Sequence, residues 1–454
     1  FLLKIVFRIP GIKRMADKSN DLLVGLDIGS SKVVCMIASP VSSSTFKIEG
    51  LGECKSEGIE QGGVVDINQA VDCVRAAVEE AEKTANTTVK TVAAGISGPH
   101  IRTDNCIQQT IVGSGEIEQK DIDDLLNTAM SVTLPPSMRY LDVIPQEYSV
   151  DYARRIRTPI GMEGKKLEGS LHVVTAQSAQ CLFLNKVIRR TGLELIDSQL
   201  IFNPLAAASA VLRPEEIDLG VALIDIGSDL SDVAVFFDKA VQYSAVHPMG
   251  GQQITDEISI KTHLSQDAAE KLKLQMGQVR YDARKDKDSF IRLPTAPGYS
   301  DDGGRILSKQ ALSAIIDVKV QDILEKIYYR IRDKSLHTQL GYGVVLTGGG
   351  ATLPGIQRMA KEVFSSHMAG REINVRLGRP LVNYETSEFV PPELYNTESF
   401  PKQFAGYSTP QHAAVLGYLC QLNQKFWAQG SNIGSKRKLK SIGGMIKQWI
   451  FGNF

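Results

Sequence analysis

The sequence has no net charge, no long hydrophobic run and no paired cysteines. Its 51 basic and 51 acidic residues balance, so we expect no nucleic-acid partner. No stretch of about 18 apolar residues is present, and no membrane span is predicted. The six cysteines are scattered without C-x-x-C spacing, which is typical of reduced thiols in a cytosolic protein and argues against a disulfide framework or a zinc site.

The first residues do not read as a signal peptide. Lys4 and Arg8 interrupt the apolar stretch, and Met15 opens a polar leader, MADKSND. We expect residues 1–20 to be an N-terminal extension, with the segment before Met15 lying upstream of the fold. At 454 residues the chain is too long for one hydrophobic core, which predicts two or more domains.

Two segments about two hundred residues apart share one design. Leu22–Ala38 reads LLVGLDIGSSKVVCMIA, and Gly220–Phe237 reads GVALIDIGSDLSDVAVFF. In each, an apolar run ends in an acid, passes through a Gly/Ser turn and resumes, which predicts a β-hairpin with a carboxylate near its tip. The echo predicts two similar halves that each offer one hairpin to a shared cleft.

The two hairpin tips and a triple glycine at Thr347–Gly350 suggest the chemistry of that cleft. Turns of glycine and serine expose backbone N–H groups that can hold phosphate oxygens. Asp27 and Asp225 suit a hydrated Mg²⁺, and Lys32 adds a point charge for a phosphate. A glycine-rich turn alone is more often only a turn, but two matched hairpins with the triple glycine favour a nucleotide site.

These motifs resemble the two phosphate loops and the adenosine loop of the actin, Hsp70 and sugar-kinase superfamily. Within it, the chain is similar to the FtsA family of bacterial cell-division proteins from Asp21 onward. The strand LDVIPQEYSVDY, which begins at Leu141, and the basic C-terminal end are the specific parts. The resemblance implies an α/β, actin-like fold: two RNase-H-like halves around a nucleotide cleft, with the inserted subdomain that this family calls 1C.

The change of pattern along the chain and the resemblance together predict its organisation. In chain order we expect the extension at 1–20, subdomain 1A at 21–97 and 177–210, the 1C insertion at 98–176, subdomain 2A at 211–250 and 336–420, subdomain 2B at 251–335, a linker at 421–435 and an amphipathic helix at 436–454. The linker is predicted because residues 421–435 lack helical periodicity.

The resemblance implies ATP and Mg²⁺ as ligands. The positions that match the family's nucleotide motifs are Asp27, Gly29, Ser30, Ser31, Lys32, Asp225, Gly227, Asp232, Glu270, Lys273, Gly348, Gly349 and Gly350, with Asp27 and Asp225 holding the metal through water. The second phosphate loop departs from the family pattern, because Ser228-Asp229-Leu230 replaces a glycine run and a threonine. The Asp229 carboxylate adds like charge beside a triphosphate. It therefore turns outward, helps hold the metal or lowers the nucleotide affinity, and the sequence leaves these alternatives open.

The chain ends in Ser435–Phe454, SKRKLKSIGGMIKQWIFGNF. On a helical projection, one side carries Leu439, Ile442, Met445, Ile446, Trp449 and Ile450, and the other carries Lys440 and Lys447. This pattern predicts an interfacial helix on an anionic membrane, where each lysine contributes about 1 kcal/mol. The alternative is a helix docked on its own domain. Gly443-Gly444 lowers the helix propensity by about 2 kcal/mol, so we expect the segment to become helical only on lipid.

The resemblance implies a scaffold that forms filaments or dimers and tethers the FtsZ ring to the cytoplasmic face of the inner membrane at the septum. It also implies recruitment of later division proteins. Arg305 and Lys319 match the basic positions that contact the FtsZ C-terminal peptide. From the residues alone, a solvated helix face explains these two equally well.

Two other functions remain open from the sequence. A PilM-like pilus-assembly scaffold would share the fold and the insertion but lack the basic amphipathic end. A superfamily kinase would need a general base and a second substrate pocket, and no such constellation stands out. We therefore name no catalytic residue and expect ATP turnover, if any, to be slow.

Overall fold

The computed structural model describes residues 22–282, 290–293, 305–368, 370–382, 389–390 and 409–430. The predicted N-terminal extension and the predicted amphipathic helix at 436–454 lie outside these residues. Within the described ranges, no helix is both long enough and apolar enough to cross a bilayer.

The first predicted hairpin is present and begins a larger sheet. Its elements are β1 (Leu23–Ile28), β2 (Lys32–Pro40), β3 (Phe46–Lys55), β4 (Ile59–Glu60), β5 (Gly63–Val64), helix α1 (Ile67–Ala85) and β6 (Thr91–Ile96). β1 pairs antiparallel with β2 and parallel with β6. Asp66 caps α1, because its carboxylate accepts hydrogen bonds from the N–H groups of Asn68 and Gln69.

The insertion has a sheet of its own. It consists of β7 (Ile101–Ile111), α2 (Gln119–Met130), β8 (Met138–Val150), β9 (Ala153–Ile156) and β10 (Lys166–Gln177), in the strand order β7-β10-β8-β9. A proline within a strand is best placed at the edge of a sheet, but β8, which contains Pro145, lies between β10 and β9. However, β9 pairs only with Tyr148 and Val150, and the β8–β10 register shifts beside Pro145. Pro145 therefore lies in the part of β8 that does not pair with β9, where the lack of an N–H group leaves no hydrogen bond to β9 unmade.

The chain then completes the first sheet with α3 (Ser178–Arg190), β11 (Glu194–Phe202) and α4 (Asn203–Val211). The second half contains α5 (Pro214–Leu219), β12 (Val221–Ile226), β13 (Ser231–Phe237), β14 (Ala240–His247), α6 (Gly251–Thr262), α7 (Gln266–Met276), β15 (Phe290–Arg292), β16 (Ile306–Ser308), α8 (Lys309–Asp333), β17 (Gly343–Thr347), α9 (Ile356–Ser366), β18 (Val375–Leu377), β19 (Leu381–Val382), β20 (Phe389–Val390) and α10 (Ala413–Gly430).

The two main sheets have the same topology. The first has the order β11-β6-β1-β2-β3 and the second β18-β17-β12-β13-β14. In each, an antiparallel three-strand meander is joined through its first strand to two parallel strands. The prediction of two similar halves is confirmed, and each half places its hairpin turn at the cleft between them.

Helices α4 and α10 pack together between the halves. At Gly417 on α10, a Cβ atom would lie 2.0 Å from the carbonyl oxygen of Ala206 on α4, so glycine permits the close approach that the alanine-rich sequence predicts. The predicted linker at 421–435 is wrong for residues 421–430, which belong to α10. This part of the helix is buried on several sides, with Leu422 and Lys425 both under 9% exposed. It therefore shows no one-sided apolar stripe in the sequence.

Candidate functional site

The structure brings all thirteen predicted nucleotide positions into one cleft of about 480 Å³ between the halves. The β1–β2 turn contributes Asp27, Gly29, Ser30, Ser31 and Lys32, and the β12–β13 turn contributes Asp225, Gly227 and Asp232. Helix α7 adds Glu270 and Lys273, and the loop after β17 adds Gly348, Gly349 and Gly350. Four distant segments of the chain therefore meet at one place, as the sequence predicts. The role of each residue there stays a prediction.

The two hairpin turns have the same backbone geometry. The Gly29 N–H donates to the Lys32 carbonyl at 3.1 Å, and the Gly227 N–H donates to the Leu230 carbonyl at 2.8 Å. Lys32 and Leu230 are therefore equivalent positions, and only the first turn carries a cation. The first turn can therefore contact a phosphate through a lysine side chain, and the second turn cannot.

Three carboxyl groups lie deep in the cleft, on Asp27, Asp225 and Asp232. Burial raises the pKa of all three, and the neighbouring acids raise that of Asp225 further. The pKa of Asp232 rises to about 7 even though the Ser97 hydroxyl donates a hydrogen bond to its carboxylate. Bound cations stabilise such carboxylates, so this cluster is suited to a metal-bearing ligand. No three metal-ligating side chains are grouped closely enough, among the described residues, to hold an ion by themselves.

Gly348 allows the glycine-rich loop to touch the floor of the cleft. It has φ +85°, and a Cβ atom there would lie 2.2 Å from the Asp225 Oδ1 atom. Gly349 has open space around it. The loop therefore presents bare backbone to the cleft, which suits a flat ligand such as a nucleoside.

Glu270 and Lys273 form an ion pair on α7, which lines the cleft from the second half. The Lys273 Nζ atom lies 2.7 Å from the Glu270 carboxylate and also donates to the Gly251 carbonyl at 2.9 Å and the Thr255 hydroxyl at 2.8 Å. Thr255 also hydrogen bonds to Glu270. The i, i+3 spacing places both side chains on one face of α7, and contacts with the start of α6 hold them there.

Asp229 reaches across the cleft to the first half. Its carboxylate accepts hydrogen bonds from the Gln61 N–H at 2.9 Å and from the Ser228 hydroxyl at 3.1 Å. Beside it, Leu230 lies close to Gly62 of the same facing turn. The departure from the family's glycine run thus makes a contact between the halves, which the sequence alternatives did not include.

Arg305 and Lys319 both contact helix α6. Arg305 donates to the Thr262 carbonyl at 2.5 Å, and Lys319 forms an ion pair with Glu257 at 3.2 Å. Both cations therefore contact α6 at positions five residues apart, and neither is among the described residues that line the nucleotide cleft.

Sequence patterns missed several polar residues at the floor of the cleft. The Tyr418 hydroxyl on α10 lies 3.4 Å from the Asp27 carboxylate and donates to the Asn203 side chain at 2.8 Å. Ser97, at the end of β6, contacts Asp232. Tyr418 and Asn203 reach the site because α4 and α10 pack together, and Ser97 reaches it because β6 pairs with β1.

Comparison with known proteins decides the family. A family model described as "SHS2 domain inserted in FTSA" matches residues 98–175, and one described as "Cell division protein FtsA" matches residues 222–417. The cell division protein FtsA of Neisseria meningitidis serogroup B is 32% identical over 94% of this chain and 98% of its own length. The chain belongs to the FtsA family.

Two further comparisons agree with this assignment. The FtsA protein of Escherichia coli K12 is 30% identical over 83% of this chain and 88% of its own length. A solved structure titled "PilM-PilN type IV pilus biogenesis complex" aligns with a TM-score of 0.57 and 17% identity, covering 88% of this chain and 98% of that one. The FtsA relatives are cell-division proteins, and the structural neighbour supports the actin-like fold. The predicted fold and insertion are confirmed.

Proposed function

We propose that this FtsA-family chain binds ATP with Mg²⁺ between its two halves and tethers an FtsZ ring to the cytoplasmic face of the inner membrane. The single observation that carries the proposal is the meeting of both hairpin turns, α7 and the triple glycine in one cleft. Asp27 and Asp225 would hold hydrated Mg²⁺, which would neutralise the phosphates. The backbone N–H groups of the turns and Lys32 would bind phosphate oxygens.

The residues present suit that ligand. The cleft has room for a nucleotide-sized molecule, and Gly348 leaves backbone where a side chain would collide with Asp225. The buried acids are protonated more readily than usual, so a cation near them would restore their charge. We name no catalytic base, and we propose that any ATP turnover is slow and regulatory.

The membrane role rests on the sequence of Ser435–Phe454. The proposed lipid contacts are the apolar side, Leu439, Ile442, Met445, Ile446, Trp449 and Ile450, with Lys440 and Lys447 near the headgroups. Since α10 extends to Gly430, the proposed anchor would begin soon after a helix that touches the cleft. Proposed self-association and recruitment of later division proteins follow the family alone.

Sedimentation with anionic liposomes tests the tether, with and without ATP. We expect the full chain to sediment with vesicles of anionic lipid and a chain ending at Ser435 to stay in solution, while both retain the same melting temperature. Neutral vesicles should capture the full chain weakly. If the truncated chain sediments as well as the full chain, the proposed membrane anchor is wrong.

The proposed FtsZ surface lies around Arg305 and Lys319. Exposed apolar side chains occur at the adjacent chain positions Ile306 and Val318, and Ile260 is exposed on α6. A region that carries both cations and exposed apolar groups suits an acidic peptide with hydrophobic anchors. We expect Arg305→Glu to weaken binding of the FtsZ C-terminal peptide about tenfold. The matched charge reversal Lys361→Glu, on α9, should leave the affinity unchanged, and equal affinities for both variants would remove Arg305 from the site.

A further inference from the structure

The cleft is more acidic than a triphosphate site would suggest. The described residues lining it include five acids, Asp27, Asp225, Asp229, Asp232 and Glu270, and two lysines, Lys32 and Lys273. Each lysine is already paired with a carboxylate. Among these lining residues, an anionic ligand therefore competes with a carboxylate for each lysine.

Lys32 is held by a residue outside the cleft. Its Nζ atom lies 2.7 Å from the Glu53 Oε1 atom. Glu53 is on β3, directly opposite Val34 of β2, so it faces Lys32 diagonally across the two strands. Glu53 is not among the residues that line the cleft, so the pair joins the Lys32 ammonium to a carboxylate outside the cleft lining.

His412 holds the Glu53 carboxylate in place beside Lys32. Its Nε2 atom lies 2.7 Å from the same Glu53 oxygen, and its Nδ1 atom lies 3.1 Å from the Thr409 hydroxyl. A carboxylate only accepts, so Nε2 carries the proton and donates it. His412 is almost fully buried, with 2% exposure. The hydrogen bond from His412 and the Lys32 ammonium hold the pKa of Glu53 near 2, so its charge persists at neutral pH.

We propose that Glu53 competes with a nucleotide phosphate for Lys32 and so sets the affinity of the cleft for phosphorylated ligands. The inference rests on the proposed nucleotide function. When a phosphate takes Lys32, Glu53 keeps its hydrogen bond from His412, so the carboxylate is not left unpaired. The His412–Glu53 contact thereby lowers the cost of releasing the lysine.

Competition binding with a fluorescent ATP analogue tests this proposal, with ATP and adenosine as unlabelled competitors. Glu53→Gln removes the charge and keeps the shape. We expect it to tighten ATP binding about threefold to fivefold, the effect of losing a partly exposed ion pair, and to leave adenosine binding unchanged. Glu49→Gln is the matched control, because Glu49 lies on the same strand with similar exposure and pairs with Lys47 instead.

A double-mutant cycle with Lys32→Met identifies the residue through which Glu53 acts. Lys32→Met alone should weaken ATP binding, and adding Glu53→Gln to it should give no gain. If Glu53→Gln weakens ATP binding or matches Glu49→Gln while the wild type still binds ATP, Glu53 does not compete and the inference is wrong. If the wild type binds no ATP, the proposed nucleotide function itself fails.

Discussion

Asp229 shows how one side chain changes a phosphate loop. Its carboxylate accepts a hydrogen bond from the Gln61 N–H of the opposite half, so the second turn contacts the first half directly. The hydrogen bond favours a closed cleft, whereas the negative charge opposes a triphosphate. These two effects act on different properties of the site and can be separated by substitution.

Asp229→Asn separates them, because the amide oxygen can still accept from Gln61 while the charge is lost. We expect ATP affinity to rise about threefold at low salt, with a smaller gain at high salt because ions screen the repulsion. Asp72→Asn, on the exposed face of α1, is the control for a general loss of negative charge. An unchanged ATP affinity in equilibrium titrations of Asp229→Asn would mean that the carboxylate does not face the phosphates.

The sequence predicts the cleft positions that belong to short motifs. Both hairpins and the triple glycine carry their pattern within a few residues, and all thirteen positions lie in the cleft. Glu53, His412 and Tyr418 carry no such local signal. Their partners lie tens to hundreds of positions away, so only the packed structure shows that they belong near the site.

Among the elements, the insertion is fastened to the edge strand of the second half through a buried histidine. The His172 Nδ1 atom lies 2.6 Å from the Asn105 side-chain oxygen, and Nε2 lies 2.7 Å from the Ser244 hydroxyl on β14. Burial lowers the pKa of His172 to about 4. The neutral form donates through Nδ1 and accepts through Nε2, so protonation would leave the Ser244 hydroxyl without its acceptor.

This pKa predicts that acid destabilises the fold. Because the folded-state pKa lies below the usual value near 6.5, the unfolded chain binds the extra proton first, and stability falls as the pH drops from about 6.5 to 4. Protonation of His172 accounts for about 3 kcal/mol of the unfolding free energy that is lost between these two pH values. Urea unfolding at several pH values should show a flatter slope for His172→Gln. The exposed His263→Gln should retain the wild-type slope, and equal slopes for all three proteins would contradict this account.

Helix α10 was the largest error of the sequence reading, and its burial explains why. A helix buried on one side shows a stripe of apolar residues, but the second part of α10 buries Gln421, Asn423 and Lys425 together with apolar neighbours. Lys425 forms an ion pair with Asp197, and Asn423 donates to the Ser42 carbonyl at 2.8 Å. In the sequence, these polar residues interrupt the apolar pattern and so resemble a linker. In the structure, they attach the helix to the first half.

Truncation tests the helical assignment. A chain ending at Gly430 should melt at the same temperature as the full chain. A chain ending at Cys420 loses the burial of Leu422 and the Lys425–Asp197 pair, so we expect it to lose about 3 kcal/mol of unfolding free energy or to aggregate. Equal melting temperatures for the two truncated chains would restore the linker interpretation.

At the scale of the whole molecule, two sheets of the same topology face each other across one cleft, and α4 and α10 pack between them. The first half carries the insertion and the second half carries the surface around Arg305 and Lys319. Ligand contacts in the cleft would therefore act on both halves at once. The family assignment makes this chain a cell-division protein, and ATP binding in the cleft is the central proposal.

Titration of ATP and Mg²⁺ into the full chain tests that proposal most directly, with Gly348→Ala as the site variant. A Cβ at Gly348 would collide with Asp225, whereas Gly192→Ala tests the same left-handed backbone, φ +86°, with nothing within 4 Å. We expect saturable binding by the wild type and by Gly192→Ala, and at least about tenfold weaker binding by a folded Gly348→Ala. Absence of saturable wild-type binding, or equal affinities for all three proteins, would contradict the proposal.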